Sequence, residues 1–371
     1  MDVSFILDDL NEAQREAVTS ESKKLLVLAG AGSGKTKVLV HRIAWLIKAN
    51  ASSTHSILAV TFTNKAANEM TGRIESILDQ PIPEMWCGTF HSISNRILRR
   101  HFKEAGLEKE FSILDSDDQM RIIKRILKEQ DIDEDQWPPE KVRWQINSWK
   151  DEALRAKDVD DQGDFNIEIL KRIYSMYESY MTKENLLDFA ELILKSYELI
   201  KTNKNIRDLY TKKFKHILID EFQDTNSLQF KWIQNLIDVD TTIAAVGDDD
   251  QSIYGWRGAK IENINKFAKE KGTQIVRLEQ NYRSTANILN AANAVIGKNS
   301  NRLGKKLWTD GNNGEKIDIF EAYNEEEEAN FISENAHRIF SAGDHYKDMA
   351  VLYRSNAQSR AVEEALLRQN I

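Results

Sequence analysis

The fold of this chain is decided by a stretch near its N-terminus, Leu25-Leu26-Val27-Leu28-Ala29-Gly30-Ala31-Gly32-Ser33-Gly34-Lys35-Thr36. An apolar run with strand character gives way to small residues, and the residues that follow, Lys37 to Ile43, have the pattern of a helix. A strand, a glycine-rich loop and a helix in this order predict a phosphate-binding loop. The backbone N–H groups of such a loop and the positive end of its helix face the phosphates. We expect Lys35 to reach the outer phosphates and the Thr36 hydroxyl to hold Mg²⁺.

One position departs from the strict pattern, because Ala29 stands where a glycine is expected. A glycine-rich turn before an ordinary helix is the alternative interpretation. A phosphate loop also leaves open what the nucleotide drives, so the rest of the chain has to indicate the function.

Composition limits the class of protein. The chain has 371 residues, a net charge of −8, 41% hydrophobic and 30% charged residues, which is ordinary for a globular protein of two or three domains. No apolar run could span a membrane, and the first residues lack the positive charge of a signal peptide. Cys87 is the only cysteine, which fits a reducing compartment, so we expect a cytoplasmic protein. The negative charge argues against a surface covered in nucleic-acid contacts, but not against a local groove.

A second signal is a strand that ends in adjacent carboxylates, His216-Ile217-Leu218-Ile219-Asp220-Glu221-Phe222-Gln223-Asp224. Alternation along the strand sends the two side chains in different directions. Asp220 is predicted to face Mg²⁺, and Glu221 to deprotonate the water that attacks the outer phosphate. The alternative is a capped strand end with incidental acids.

Two other strands end in polar residues that open helices. Phe62, Thr63 and Asn64 follow an apolar strand, and Thr89 and His91 follow another. In open α/β sheets, ligands bind at the carboxyl ends of the strands, and Phe62 could stack on a base. A core phenylalanine and a structural histidine are the alternatives.

A third signal is the loop after the apolar strand Ile243 to Val246. It runs from Gly247 to Ala259 and carries Gln251, Tyr254, Trp256 and Arg257. Gln251 can sense a terminal phosphate by hydrogen bonding. Trp256 has no apolar neighbours in sequence, so an exposed ring that stacks on a base is predicted.

A fourth signal is the strand Gln274 to Gln280 followed by Asn281-Tyr282-Arg283-Ser284 and a helix. Arg283 at this turn could aim its charge at a developing phosphoryl group, and a surface arginine in a salt bridge is the alternative. Gln14 lies on a short helix before the phosphate loop. Its amide could both donate to and accept from an adenine edge, or simply be solvated.

Helical periodicity and high charge replace strand patterns between residues 108 and 185. We interpret this segment as a helical subdomain inserted into the α/β domain. Its aromatic residues recur at helical spacing and are predicted to form a core: Trp137, Trp144, Trp149, Tyr174 and Tyr177.

With these motifs in this order, the chain resembles superfamily 1 DNA helicases of the UvrD/PcrA/Rep group. The group's phosphate loop carries alanine at the first position, which accounts for Ala29. The similarity runs along the whole chain, including Leu303 to Gly311 and Leu352 to Arg360. The motifs Asp220 to Asp224 and Gly247 to Ala259 are specific to the group.

The resemblance implies a role for each matched position. Gln14 would read adenine, Tyr282 would stack on it, and residues Ala29 to Thr36 would hold the phosphates. Mg-ATP would be bound by Lys35, Thr36, Asp220 and Glu221, with Gln251 and Arg283 at the γ-phosphate. A single-stranded DNA track would comprise Phe62, Thr63, Asn64, Thr89, His91, Tyr254, Trp256, Arg257, Arg354 and Asn356. ATP hydrolysis would drive movement 3′ to 5′ along the bound strand.

The resemblance also predicts the domain organisation. It implies a RecA-like α/β domain over residues 1–107 and 186–273, the helical insertion over 108–185, and the first half of a second RecA-like domain over 274–371. Strands of that second half are predicted at 274–280, 316–321 and 349–354. Members of the group continue past the position of Ile371, so we expect part of a longer motor whose unwinding is impaired in isolation.

Two rival functions stay open. The chain could be the motor of a helicase–nuclease of the same superfamily, or a module that only binds ATP and single-stranded DNA. Single strands and their junctions with duplex DNA are the expected partners. Repair proteins and self-association are not decided by the sequence.

Overall fold

A computed structural model describes residues 3–300 and 302–371. The chain divides into two compact units, the first ending at Asn313 and the second running from Gly314 to Ile371. The strands of the described residues are β1 (Lys24–Ala29), β2 (Ile57–Thr61), β3 (Trp86–Thr89), β4 (Ser112–Ile113), β5 (Leu186–Leu187), β6 (His216–Ile219), β7 (Thr242–Gly247) and β8 (Thr273–Leu278).

Most of the first unit's remaining residues are helical. Its helices are α1 (Glu12–Thr19), α2 (Lys35–Lys48), α3 (Asn64–Leu78), α4 (Phe90–Arg100), α5 (Ser116–Glu129), α6 (Pro139–Asp151), α7 (Phe165–Lys183), α8 (Phe189–Thr202), α9 (Lys204–Lys213), α10 (Ser227–Gln234), α11 (Glu262–Lys269) and α12 (Ala286–Ile296). The second unit contains α13 (Glu325–Ser341) and α14 (Ser359–Arg368). Among the described helices, none combines the length and the apolar character needed to cross a membrane.

The first unit is organised around a parallel sheet of six strands in the order β3-β2-β6-β7-β1-β8. Successive side chains of a strand point to opposite faces, so each strand feeds two cores. In β1, Leu26 and Leu28 pack with helices α4 and α8 to α11, while Leu25 and Val27 pack with α1, α2 and α3. Because all strands are parallel, the loops after β1, β6 and β7 lie at one edge, where ligands of such sheets bind. The predicted α/β class is confirmed.

The predicted helical insertion has its own core. Helices α5, α6 and α7 bury Ile123, Ile146, Tyr174 and Tyr177, and the short parallel pair β4–β5 joins the two ends of the segment. The prediction for Trp144 is wrong, since this ring is 60% exposed. Helix α6 turns Ile146 inward, and a residue two positions away on a helix points to the opposite side.

Buried charges connect the insertion to the sheet. Lys150 at the end of α6 is 1% exposed, and its Nζ lies 2.7 Å from Asp188 Oδ2 and 2.9 Å from Glu191 Oε2, both at the start of α8. Next to it, Asp151 Oδ1 accepts a hydrogen bond of 2.8 Å from Asn226 Nδ2, which precedes α10. The end of α6 therefore contacts the segment that follows the carboxylate motif.

The structure corrects the strands predicted for the C-terminal part. The strand predicted at 274–280 is β8, which pairs with β1 and buries Val276 and Leu278 in the first unit's core. No strand forms at 316–321 or 349–354 in the described second unit, where Ile319 and Leu352 are 93% and 94% exposed. A strand needs a neighbouring backbone for its hydrogen bonds, and none lies beside these segments in the described second unit. The unit consists of α13 packed on α14, and the four predicted domain ranges otherwise remain a prediction.

Candidate functional site

The loop between β1 and α2 has the backbone of a phosphate-binding loop. Gly32 and Gly34 adopt φ angles of 69° and 91°, and a β-carbon on either would come within 2.9 Å of a neighbouring side chain. Among the described residues, no side chain caps α2, so the N–H groups of its first turn are available for an anion. Lys35 and Thr36 are the first residues of this helix. The residues predicted to hold phosphates, Ala29 to Thr36, thus run from the last residue of β1 through the loop into the first turn of α2.

Side chains from two distant segments fix the curve of the loop. Asn281 Nδ2 donates to the Ala31 carbonyl oxygen at 2.6 Å, and Gln14 Nε2 donates to that of Ser33 at 2.9 Å. The Tyr282 backbone N–H donates to the Gly32 carbonyl at 3.0 Å. Asn281 is 2% exposed and also accepts hydrogen bonds from the N–H groups of the two residues after Tyr282, so hydrogen bonds connect the turn after β8 to the loop.

The two residues predicted to contact adenine belong to one hydrogen-bond network. Gln14 is 2% exposed, and its Oε1 accepts from Asn11 N at 3.1 Å, so both ends of its amide are bonded within the protein. Tyr282 has a 58% exposed ring, and its hydroxyl accepts from Asn11 Nδ2 at 2.8 Å and donates to Gln280 Oε1. Adenine stacking on Tyr282 fits this exposure, whereas recognition by Gln14 requires its present bonds to change. Both roles stay predictions.

Lys35, Glu221 and Gln251 meet at the edge of the sheet. Lys35 Nζ lies 2.8 Å from Glu221 Oε2 and 3.5 Å from Gln251 Oε1. Strand β7, which precedes Gln251, lies between the strands that deliver the other two, and this order brings the amide to the same edge of the sheet. Glu221 adopts a left-handed φ of 48°, and its Oε2 also accepts from Gln223 Nε2 at 2.8 Å.

Asp220, the predicted metal ligand, is buried next to this cluster. It is 8% exposed, and its Oδ1 accepts from the Glu221 N–H at 3.0 Å. Burial and the neighbouring Glu221 charge raise the pKa of Asp220 to about 6. The Asp220 carboxylate is shielded from water and has little positive charge beside it, which suits a divalent cation. A bound cation would favour the ionised form of this carboxylate. Thr36, the other predicted metal ligand, lies in the first turn of α2 directly after Lys35, and its part in holding the ion stays a prediction.

Arg283 lies beside the loop, and its β-carbon contacts Gly32 closely enough to leave no room for a side chain there. It is exposed, and its guanidinium group makes no hydrogen bond or ion pair within the described residues. The alternative of a surface salt bridge is therefore not observed. The side chain is free to turn toward a phosphate held by the loop.

The loop after β7 carries a group of stacked aromatic and cationic side chains. The Tyr254 ring stacks on that of Phe62 with centroids 5.8 Å apart, and its centroid is 6.3 Å from that of Trp256. The Arg257 guanidinium lies 4.4 Å from the Trp256 ring centroid. Trp256 is 67% exposed, which excludes the core as its site of packing. Phe62, Tyr254, Trp256 and Arg257, predicted from separate motifs, are thus brought together.

A cavity of about 320 Å³ adjoins this group. Its lining includes Thr89, which caps α4 by accepting from Ser92 N at 3.1 Å, and His91, whose ring meets Phe189 edge to face at 5.9 Å. Burial lowers the pKa of His91, which favours a neutral imidazole. Thr63 caps α3 and Asn64 begins it, and both are exposed.

Two predicted DNA contacts, Arg354 and Asn356, lie in the second unit. The backbone N–H of Arg354 donates to Gln358 Oε1 at 3.0 Å, and Asn356 opens a single helical turn. Both side chains are exposed. Their part in a DNA track stays a prediction.

Sequence reasoning did not assign several residues that organise the site. Gln223 links Glu221 to the next loop, because its Oε1 accepts from Asp248 N at 2.9 Å. Asn281 holds the phosphate loop, and Phe189 lines the cavity. Gln223 and Asn281 each lie inside a quoted motif, and this was the only sequence signal for them. The position of Phe189 in the cavity depends on contacts between segments far apart in the chain.

Comparison with known proteins agrees with this geometry. Residues 10–272 match the family model described as the UvrD/REP helicase N-terminal domain, and residues 276–371 match that of the UvrD-like helicase C-terminal domain. The chain is 52% identical over 375 residues to DNA helicase II of Haemophilus influenzae and 50% identical over 372 residues to that of Escherichia coli. It is 42% identical over 371 residues to ATP-dependent DNA helicase PcrA of Staphylococcus aureus. All of this chain is aligned in each case, and it spans about half the length of these relatives (51–52%). The chain belongs to the UvrD/REP helicase family.

Proposed function

We propose that this chain is the ATP-driven motor of a DNA helicase, which moves 3′ to 5′ along a single strand and opens duplexes during repair and replication. One observation carries the proposal. Gln251, which contacts Lys35 of the phosphate loop, lies in the same short segment as Tyr254, whose ring stacks on that of Phe62, and Trp256, whose ring is 67% exposed. A change at the nucleotide would therefore reach the candidate DNA surface across the three peptide bonds that separate Gln251 from Tyr254.

The nucleotide side uses charge fixed before the reaction. Lys35 supplies a cation at the start of α2, and Arg283 supplies a second cation from the turn after β8. Positive charge that is already in place beside the outer phosphate lowers the activation barrier. It does so when it interacts more strongly with the transition state than with bound ATP. Thr36 and Asp220 would hold Mg²⁺, which would neutralise phosphate charge when bound.

Glu221 is the proposed general base. Its carboxylate would take a proton from a water molecule, the water oxygen would bond to the outer phosphorus, and the bond to the ADP oxygen would break. The ion pair with Lys35 and the hydrogen bond from Gln223 orient the carboxylate. Gln251 would report whether the outer phosphate is still attached.

The DNA side uses stacking and a helix end. Bases would stack on Phe62, Tyr254 and Trp256, and the exposed N-terminus of α3 would receive a backbone phosphate. The cavity beside His91 and Phe189 is large enough for one base. Arg354 and Asn356 would extend the track, with single strands and their junctions with duplex DNA as partners. A cytoplasmic location fits the single cysteine.

Steady-state phosphate release with and without a single-stranded oligonucleotide tests the proposal. We expect hydrolysis in Mg²⁺ that the oligonucleotide stimulates and that Lys35→Ala abolishes. Binding of both ATP and DNA without any turnover would identify a binding module instead. Equal turnover with and without DNA would contradict a DNA-driven motor.

A further inference from the structure

Lys305 is surrounded by three consecutive carboxylates. Its Nζ lies 2.5 Å from Asp248 Oδ1, 2.9 Å from Asp249 Oδ1 and 2.7 Å from Asp250 Oδ2. The side chain is 3% exposed, and one oxygen from each carboxylate lies within 4.8 Å of the others. Such a cluster could hold a metal ion, and here an ammonium group takes the central position. Burial alone would lower the pKa of Lys305, but the Asp248 charge and its partners raise it, so the group is charged.

Asp248 connects this ammonium to the nucleotide site by two routes. Its second carboxylate oxygen, Oδ2, accepts a hydrogen bond from Gln251 Nε2, whose Oε1 faces Lys35. Its backbone N–H donates to Gln223 Oε1, and Gln223 Nε2 donates to Glu221. The charge on Lys305 is thus two contacts away from the predicted phosphate sensor and three contacts away from the predicted base.

The segment that carries Lys305 is anchored on the same edge of the sheet. The Leu303 N–H donates to Asp249 Oδ2 at 2.7 Å, and Trp308 exchanges backbone bonds of 3.0 and 2.7 Å with the residues after β8. The Leu307 side chain packs on Gly30 and fills the space that a β-carbon would need there. Residues 302–308 therefore contact both the phosphate loop and the loop that carries Gln251.

We propose that Lys305 is a positioning residue, which fixes Asp248 so that Gln251 presents its amide to the outer phosphate. The inference rests on the proposed nucleotide site and names a residue that is not among the predicted ATP- and DNA-binding positions. Three adjacent carboxylates repel one another, and two of them are buried. Of the three, Arg302 pairs only with Asp250, so without the ammonium Asp248 and Asp249 would lose their cation and separate. Gln251 would then leave Lys35, because its amide is bonded to Asp248.

The test compares the affinities for AMP-PNP and ADP, measured by calorimetry in Mg²⁺ without DNA. Lys305→Met should weaken AMP-PNP binding roughly tenfold, the effect of one lost charge-assisted hydrogen bond, and leave ADP nearly unchanged. ADP lacks the phosphate that Gln251 faces, so a general loss of structure would weaken both nucleotides. Lys306→Met is the matched control, because Lys306 is the next residue, exposed and without a side-chain partner within the described residues. It should change neither affinity.

Two further variants keep the test decisive if Lys305→Met folds poorly. Asp249→Asn/Lys305→Met restores the local charge balance but not the contact with Asp248, so it should still bind AMP-PNP weakly. In a Gln251→Ala background, Lys305→Met should add no further loss. Full recovery of AMP-PNP affinity in Asp249→Asn/Lys305→Met would overturn the proposal, and so would additive losses of affinity when Lys305→Met is combined with Gln251→Ala. Equal weakening of AMP-PNP and ADP binding by Lys305→Met would also overturn it. A parent protein that binds neither nucleotide would instead refute the nucleotide site itself.

Discussion

The Lys35 ammonium and the Glu221 carboxylate form an ion pair of 2.8 Å across the edge of the sheet. The proposed phosphate-binding cation and the proposed general base are therefore partners in this structure. Lys35 cannot fully serve Glu221 and a phosphate together, so we expect nucleotide binding to draw the ammonium toward the phosphates. Glu221 would then be released toward water at the moment when a substrate is in place.

This pair predicts a split between two variants. Lys35→Ala removes the cation that α2 presents and should abolish both tight nucleotide binding and turnover. Glu221→Gln should keep ATP binding and lose hydrolysis, because an amide cannot take a proton from water. Calorimetry with ATP and a phosphate-release assay separate the two outcomes. Equal loss of binding in both variants would show that the assigned roles are wrong.

Trp256 provides the clearest test of the DNA surface. Its ring is 67% exposed, so Trp256→Ala should leave thermal stability unchanged and weaken single-strand binding by about 1–3 kcal/mol. Trp144→Ala, which removes a 60% exposed ring from α6, is the matched control and should bind nearly as well as the parent. Fluorescence anisotropy with a labelled oligonucleotide measures both. A lower melting temperature with intact DNA affinity would assign Trp256 to packing.

Asn281 should control the phosphate loop. Asn281→Ala removes the bond to Ala31 and the bonds from two N–H groups, so nucleotide affinity should fall roughly tenfold. Asn263→Ala is the control, because Asn263 is equally buried and bonds the backbone of Thr225 and Asn226, away from the loop. Both variants should lose a similar amount of stability in urea unfolding. Unchanged nucleotide affinity in Asn281→Ala would contradict the assigned role.

Asp151 predicts a pH dependence of stability. Burial, with the charges of Glu152 and Asp188, raises its pKa from 3.8 to about 7. The folded state holds this proton more tightly than the unfolded state, so its contribution is fully present below about pH 4 and is lost as the pH rises to about 7. Relative to the parent, Asp151→Asn should therefore gain unfolding free energy from pH 5 to pH 8. Asp240→Asn, at an exposed aspartate, should show no such gain. A gain that does not vary with pH would refute the burial argument.

The sequence predicted the parts of the site that lie within continuous motifs. The phosphate loop and the Asp220–Glu221 pair are each local, and the parallel sheet brings them together by a rule that applies to all such folds. Lys305 and Asn281 were not assigned, because each acts on a segment more than 50 residues away. The family resemblance assigned Gln14 to adenine, but its amide is bonded inside the protein. Strand β8 was predicted correctly as a strand, and only its pairing with β1 revealed to which sheet it belongs.

The central claim is that one chain couples a nucleotide site to a DNA site through Gln251 and the loop after it. The most direct measurement is the dissociation constant for a single-stranded oligonucleotide with and without saturating AMP-PNP, together with that for AMP-PNP with and without the oligonucleotide. Because binding free energies are linked, each ligand must change the affinity for the other by the same factor. We predict a factor between about 5 and 150 in the parent, the usual range of such coupling, and a factor near one in Gln251→Ala. A factor of one in the parent, with both ligands bound, would contradict the account.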